Sequence, residues 1–474
     1  MSFTRKVAHN TIYQAVGKII ATILGVLAIA MMTRYLGQTG FGQYSTIIAF
    51  LQFFGIMVDM GLTLITVQMI SSPGADEPKI IGNLFTLRFF SAVVFLALAP
   101  VIALLTPYPA IIKIGIALTA FHFLLISMTQ ILIGVFQRHL STGRAAIAEV
   151  IGRIFLLVGI GLAIYLGQGI LWIMGAVILG SLANFLAGWW LSIKFVRIKF
   201  LFDWPIWKKI ITLAWPVGIS IIFNLIYLKA DTLILSFLRP ANEVGLYGAP
   251  YRVLEILVTF PYMFVGLVMP ALTYNWAQNQ PADFKKIIQK SFDLLSLLAV
   301  PLMVGTYFLG RPIMTLVAGP EFLISGDILK ILMVACCVIF LGVLFGHAVV
   351  AINKQKQMIF GYLATAVVAL IGYLIFIPKY SYWGAAWMTV VSESMIALIT
   401  FLVVYKYTKI APNLKVLGKA ILASLIMALP LYFFNDYNLL LLISVAAFIY
   451  LAAIYLLKAF TRETVMEIFR LKEK

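Results

Sequence analysis

Of the charged side chains in or near the long apolar runs of this 474-residue chain, seven are candidates for a site: Lys18, Arg88, Lys229 and Arg252, with Asp59, Asp231 and Glu255. A charge at membrane depth is costly, so it faces a water-filled cavity, meets a cargo or ion, or pairs with a neighbour. Four polar stripes follow helical spacing, which sets each on one helix face. They are Asn10, Gln14, Lys18 and Thr22; Gln52, Asp59, Thr63 and Thr66; Ser220, Asn224, Tyr227 and Asp231; and Arg252, Glu255, Thr259 and Tyr262. We read them as the walls of a wet cleft. Local pairing is the alternative for Arg252 with Glu255 and for Glu149 with Arg153. Lys18 and Asp59 have no partner within their own helices and either face the cleft or bind each other. Lys229 lies roughly 200° around its helix from Asp231 and is near enough to the helix end to snorkel. Arg88 is expected near the interface. Cations and anions in the runs nearly balance, which leaves the sign of any cargo open.

The elements that hold these residues follow from composition. Apolar residues make up 63% of the chain and charged ones 11%, against about 45–50% and 25% in soluble domains. That excludes a soluble enzyme and a disordered chain alike. Fourteen runs are long enough for the roughly 20 residues a spanning helix needs, among them Ile12–Thr33, Gln43–Ile70, Ile210–Leu238, Met358–Ile377 and Trp383–Tyr405. The expected fold class is therefore all-α, a polytopic membrane protein of about fourteen transmembrane helices. Continuous runs, rather than short alternating ones, exclude a barrel. The first run lacks a small-residue cleavage pattern and reads as a retained anchor.

The formal net charge of +18 does not point to nucleic acid. The basic residues sit in short gaps between runs, twenty-four on one set of gaps against five on the other, as loops facing the cytoplasm would. Both termini are expected on that side of the cytoplasmic membrane. Adjacent Cys336 and Cys337 and four scattered histidines give no metal-ligand spacing, and no phosphate-loop motif GxxxxGK[ST] occurs, so no metal or other cofactor is expected. No loop is long enough for a catalytic domain, which argues against an enzyme.

An internal repeat organises the runs. Gly42 and Tyr44 match Gly245 and Tyr247, and Gly175 matches Gly384, at offsets of 203 and 209 residues. Six runs per copy return the chain to its starting side, giving parallel repeats about an axis along the membrane normal. The expected organisation is an N-terminal six-helix bundle over 1–195, a basic linker over 196–209 and a second six-helix bundle over 210–408. Two further helices and a tail occupy 409–474. The two pseudo-symmetric bundles are expected to enclose a central cavity, with the last two helices as an appendix.

Several stretches, in this order and spacing, carry a family resemblance. They are YLGQTGFGQYS from Tyr35, KADTLILSFL from Lys229, VGLYGAPYRVLE from Val244, INKQKQ from Ile352 and IPKYSYWGAAWMTVVSE from Ile377. Together they resemble the Wzx-type polysaccharide and O-antigen flippases of the multidrug/oligosaccharidyl-lipid/polysaccharide exporter superfamily. The resemblance implies two helical bundles that move a polyprenyl-pyrophosphate-linked oligosaccharide from the cytoplasmic to the outer leaflet by alternating access. It implies that Lys18, Arg88, Lys229 and Arg252 contact pyrophosphate or acidic sugars. Asp59, Asp231 and Glu255 then balance those charges or carry a coupling proton or sodium ion. A multidrug exporter of the same superfamily is the alternative, and a membrane-embedded glycan-transferring enzyme a more distant one.

Overall fold

The computed structural model describes residues 3–70, 74, 76–434 and 437–459, and side chains there except at 3–12, 15, 64, 216, 217 and 219–228. The side chains of Asn10, Ser220, Asn224 and Tyr227, and the basic tail residues Arg462, Arg470, Lys472 and Lys474, lie outside the described residues. The described residues form helices joined by short turns and loops, with no strand among them.

Helix α1 (Phe3–Asp59) carries the first apolar run and most of the second, broken at Gly37 with φ 63° and ψ −173°. Helix α11 (Met358–Thr408) carries two runs in the same way, broken at Ser381 with φ 52° and ψ −133°. Each break falls in the short gap between two apolar runs, so a single residue turns the chain from one run into the next. Asp59 closes α1, since Met60 and Gly61 both have positive φ, and α2 (Leu62–Ile70) starts afresh. The sequence reading carried the second run unbroken through this point. Eleven helices among the described residues are long and apolar enough to cross a membrane. Two of those, α1 and α11, hold two runs each, and α7 (Trp204–Leu238) holds the seventh, so all fourteen runs lie on helices.

Packing divides the chain into two units, Met1–Gly248 and Ala249–Lys474, with the boundary inside α8 (Ala241–Ala277). The first unit adds α3 (Glu77–Leu104), α4 (Ala110–Arg138), α5 (Thr142–Tyr165) and α6 (Ile170–Ser192). Hydrocarbon supplies no hydrophobic drive between helices, so close approach at small residues does the work. Gly17 meets Ala146 between α1 and α5, and Gly152 meets Gly180 between α5 and α6.

Helix α7 joins the first unit because residues 196–203 dock on α3. Leu201 N donates to Thr86 Oγ1 (2.9 Å) and Asp203 N to Asn83 Oδ1 (2.7 Å). Lys79 pairs with Asp203 at 2.7 Å, and Asp203 also caps the first turn of α7. The lysine holds this partly exposed carboxyl below the usual carboxylate range, chiefly through that hydrogen bond. Farther on, Ile210 and Ala214 pack with Leu62, Ile65, Met69 and Leu84. The stretch read as a linker is thus bonded to α3 along its first half.

A second contact ties α1 to the start of α8. A Cβ on Gly42 would stand 1.6 Å from the Ala241 carbonyl oxygen, and one on Gly245 would stand 2.0 Å from that of Gln38. One step along, Gly248 lies against Ser45.

In the second unit, α8 runs on through Pro250, Pro261 and Pro270, and α9 (Pro281–Ala318) through Pro301 and Pro312. Helix α10 (Leu323–Ala351) is buried on most sides, from Ile328 and Leu329 to Met333 and Cys336, against α9 and α11. The last two helices, α12 (Lys415–Phe433) and α13 (Leu439–Leu456), pack on α9 through Ala420, Ala423, Met427, Leu442 and Tyr450. Tyr450 Oη donates to the Leu297 carbonyl at 2.6 Å.

Candidate functional site

The candidate charges resolve into four groups, three in the first unit and one in the second. The most enclosed centres on Arg88 of α3, which is 2% exposed. Its guanidinium donates to Asp59 Oδ1, to Thr63 Oγ1 (3.1 Å) and to Ser127 Oγ of α4 (2.9 Å). Thr63 Oγ1 in turn donates to Asp59 Oδ1 at 2.5 Å, and Gly61 N donates to Asp59 Oδ2 at 3.3 Å. One arginine therefore spans the break between α1 and α2 and supplies the cation for the carboxylate that closes α1. Arg88 lies mid-helix and buried, not at the interface where the sequence placed it.

The second group joins α1 to α5. Lys18 Nζ donates to Glu149 at 2.9 and 3.2 Å, and Arg153 stands 4.0 Å from the same carboxylate. Lys18 and Asp59, weighed above as partners for each other, have different ones: Glu149 and Arg88.

In the third group Asp231 of α7 is 1% exposed. Its carboxylate accepts from Tyr247 Oη of α8 (2.6 Å) and from Thr232 N (2.5 Å). Lys229 is half-buried and within electrostatic reach. The fourth is the local pair, with Arg252 donating to Glu255 Oε2 at 2.6 Å.

All seven candidates are thus placed, and each carboxylate accepts from a defined donor. Glu149, Ser127 and Tyr247 complete the groups and were missing from the candidate set. Glu149 had been assigned to its own helix, where i, i+4 spacing suggested Arg153, although the better hydrogen bonds run to α1. Tyr247 was visible as a repeat residue, without a chemical role. Among the described residues no set of three His, Cys, Asp or Glu side chains is placed to hold a metal ion.

Residues 7–276 match the family model described as polysaccharide biosynthesis protein. The chain belongs to that family. A relative from Haloferax volcanii, named "Probable low-salt glycan biosynthesis flippase Agl15", is 24% identical over 90% of this chain and 90% of its own. Among solved structures, the inward closed conformation of the lipid II flippase MurJ superposes with a TM-score of 0.76 at 17% identity, covering 93% of this chain and 98% of that one. An inward-facing multidrug resistance transporter of the MATE family, in the MOP superfamily, gives 0.67 at 14% identity, covering 84% and 98%. The two superpositions establish a shared fold.

Proposed function

We propose that the protein moves a lipid-linked oligosaccharide, built on a polyprenyl pyrophosphate, from the cytoplasmic to the outer leaflet of the cytoplasmic membrane. The match of nearly the whole chain to a relative named as a glycan biosynthesis flippase carries this reading. Physical chemistry agrees with the task. Sugars and pyrophosphate do not cross hydrocarbon unaided, whereas the lipid tail can remain in the bilayer while polar groups in the protein accompany the head. The cargo leaves with its covalent structure unchanged, so the protein acts as a transporter and not as an enzyme. We further propose that both termini face the cytoplasm, on the strength of the basic-residue bias. A proton or sodium gradient drives the cycle, and Asp59, Asp231 and Glu255 are the carboxylates available to it. Lys18 and Arg252, half-exposed beside their partners, and Lys229 are the cations placed to meet the cargo, while Arg88 holds the helix break.

The test offers two cargoes to liposomes containing the full chain, with and without ion gradients. Movement of a fluorescent lipid-linked oligosaccharide, and none of a lipophilic cationic dye, is the expected result. Dye export without oligosaccharide movement would favour the multidrug reading instead.

A further inference from the structure

We propose that Arg153, with Lys18 beside it, forms a phosphate-binding site for the charged head of the cargo, and that Glu149 is its resident counterion. The proposal rests on the flippase reading and adds the group that grips the cargo.

Arg153 stands at the middle of the 24-residue helix α5, roughly 16 Å from either end. A guanidinium carries five N–H donors. Among the described residues this one makes no hydrogen bond, and its nearest carboxylate, Glu149, is 4.0 Å away. Its side chain is 42% exposed. Opposite it on α1, a Cβ added to Gly25 would stand 3.8 Å from the guanidinium, at ordinary van der Waals distance, so α1 lies beside the charge without bonding it.

The direction of that exposure follows from helix geometry. The exposed large apolar residues of α5 are Ile147, Ile154, Phe155, Val158, Leu162 and Tyr165, and Arg153 lies roughly 140° around the helix from their centre. On α1 the exposed stripe is Val16, Ile19, Ile20, Ile23 and Leu27, and Lys18 lies roughly 155° from it. Both cations therefore point away from the faces that suit lipid tails. Two cations share one carboxylate, which leaves a positive charge uncompensated at a depth where that is costly. An anion able to accept several N–H donors at once satisfies the group, and phosphate has that geometry. Phosphate could come from the cargo or from a bilayer phospholipid. The distance of Arg153 from both helix ends favours the cargo, because bilayer headgroups stay at the interface.

The experiment measures binding to the purified full chain in neutral detergent, with polyprenyl pyrophosphate and phosphatidylglycerol as probes. The wild type is expected to bind the pyrophosphate more tightly than the phospholipid. Arg153→Gln is expected to weaken pyrophosphate binding by about tenfold or more, with Arg153→Lys in between. Glu149→Gln is expected to tighten it, because a competing carboxylate has been neutralised; a merely structural Glu149 would give the opposite sign. Unchanged binding by Arg153→Gln, equal binding of the two lipids, or weakening by Glu149→Gln would each overturn the site. A wild type that binds the pyrophosphate but never translocates a lipid-linked saccharide would overturn the flippase reading and leave the site standing. A wild type that translocates while Arg153→Gln binds normally would do the reverse.

Discussion

Gly42 and Gly245 face each other where α1 crosses the start of α8, and neither has room for a methyl group. Their neighbours pair reciprocally: Gly42 lies on Ala241, Gly245 on Gln38, and Gly248 on Ser45. Ser45 and Gly248, like Gly42 and Gly245, stand 203 positions apart, and that same shift exchanges the Gly42–Ala241 contact with the Gln38–Gly245 one. A contact in which i meets j and j meets i has local twofold character. That is the relation a duplication along a membrane-normal axis calls for, and we propose the duplication on this basis.

Gly42→Ala and Gly245→Ala should each destabilise the protein by about 1–3 kcal/mol or more, because the added carbon meets backbone and not a movable side chain. Gly175→Ala serves as the control: nothing lies within 4 Å of its added carbon, and alanine raises helix propensity by about 1 kcal/mol. Thermal unfolding in detergent should show losses for the first two and none for the third.

Arg88 and Asp59 should behave as one unit. Removing either partner leaves a poorly solvated charge, at a cost of about 3–5 kcal/mol for a buried pair; the partly exposed Asp59 (24%) puts the Arg88→Met value at the low end. The double variant Arg88→Met with Asp59→Asn should recover part of the loss. A double-mutant cycle of unfolding free energies checks this, and strict additivity would contradict the clamp.

Tyr247→Phe removes the hydroxyl that donates to the buried Asp231 and leaves the carboxylate one partner short. The expected loss is about 1–3 kcal/mol, and Asp231→Asn in the same background should restore part of it. Melting temperatures of the three variants provide the check.

The Lys79–Asp203 pair carries a pH dependence of known sign. Its carboxyl is held below the ordinary range in the folded protein, so its contribution is present above the unfolded value and lost as pH falls through the folded one. Both side chains are partly exposed, so the effect is small. The gap in melting temperature between wild type and Asp203→Asn should be constant near neutrality and close only in strong acid.

Much of this was legible in the sequence because membrane-spanning helices are specified by length and hydropathy alone. All fourteen runs lie on helices, and Arg252 with Glu255 could be paired from i, i+3 spacing. Contacts between helices were harder to see. Lys18 meets Glu149 across a separation of 131 residues, and no periodicity within one helix encodes such a partner. The break after Asp59 was hidden because Met60 and Gly61 do not lower the hydropathy of the run. The docking of residues 196–203 on α3 was equally hidden, since it depends on backbone donors reaching Asn83 and Thr86.

The most direct measurement follows a fluorescent polyprenyl-pyrophosphoryl oligosaccharide, placed in liposomes, as it becomes accessible to an impermeant quencher. Vesicles containing the protein should expose the inner-leaflet fraction far faster than protein-free vesicles, with the recovered glycolipid chemically intact. Equal rates in the two, or recovery of a cleaved or extended glycan, would contradict the account.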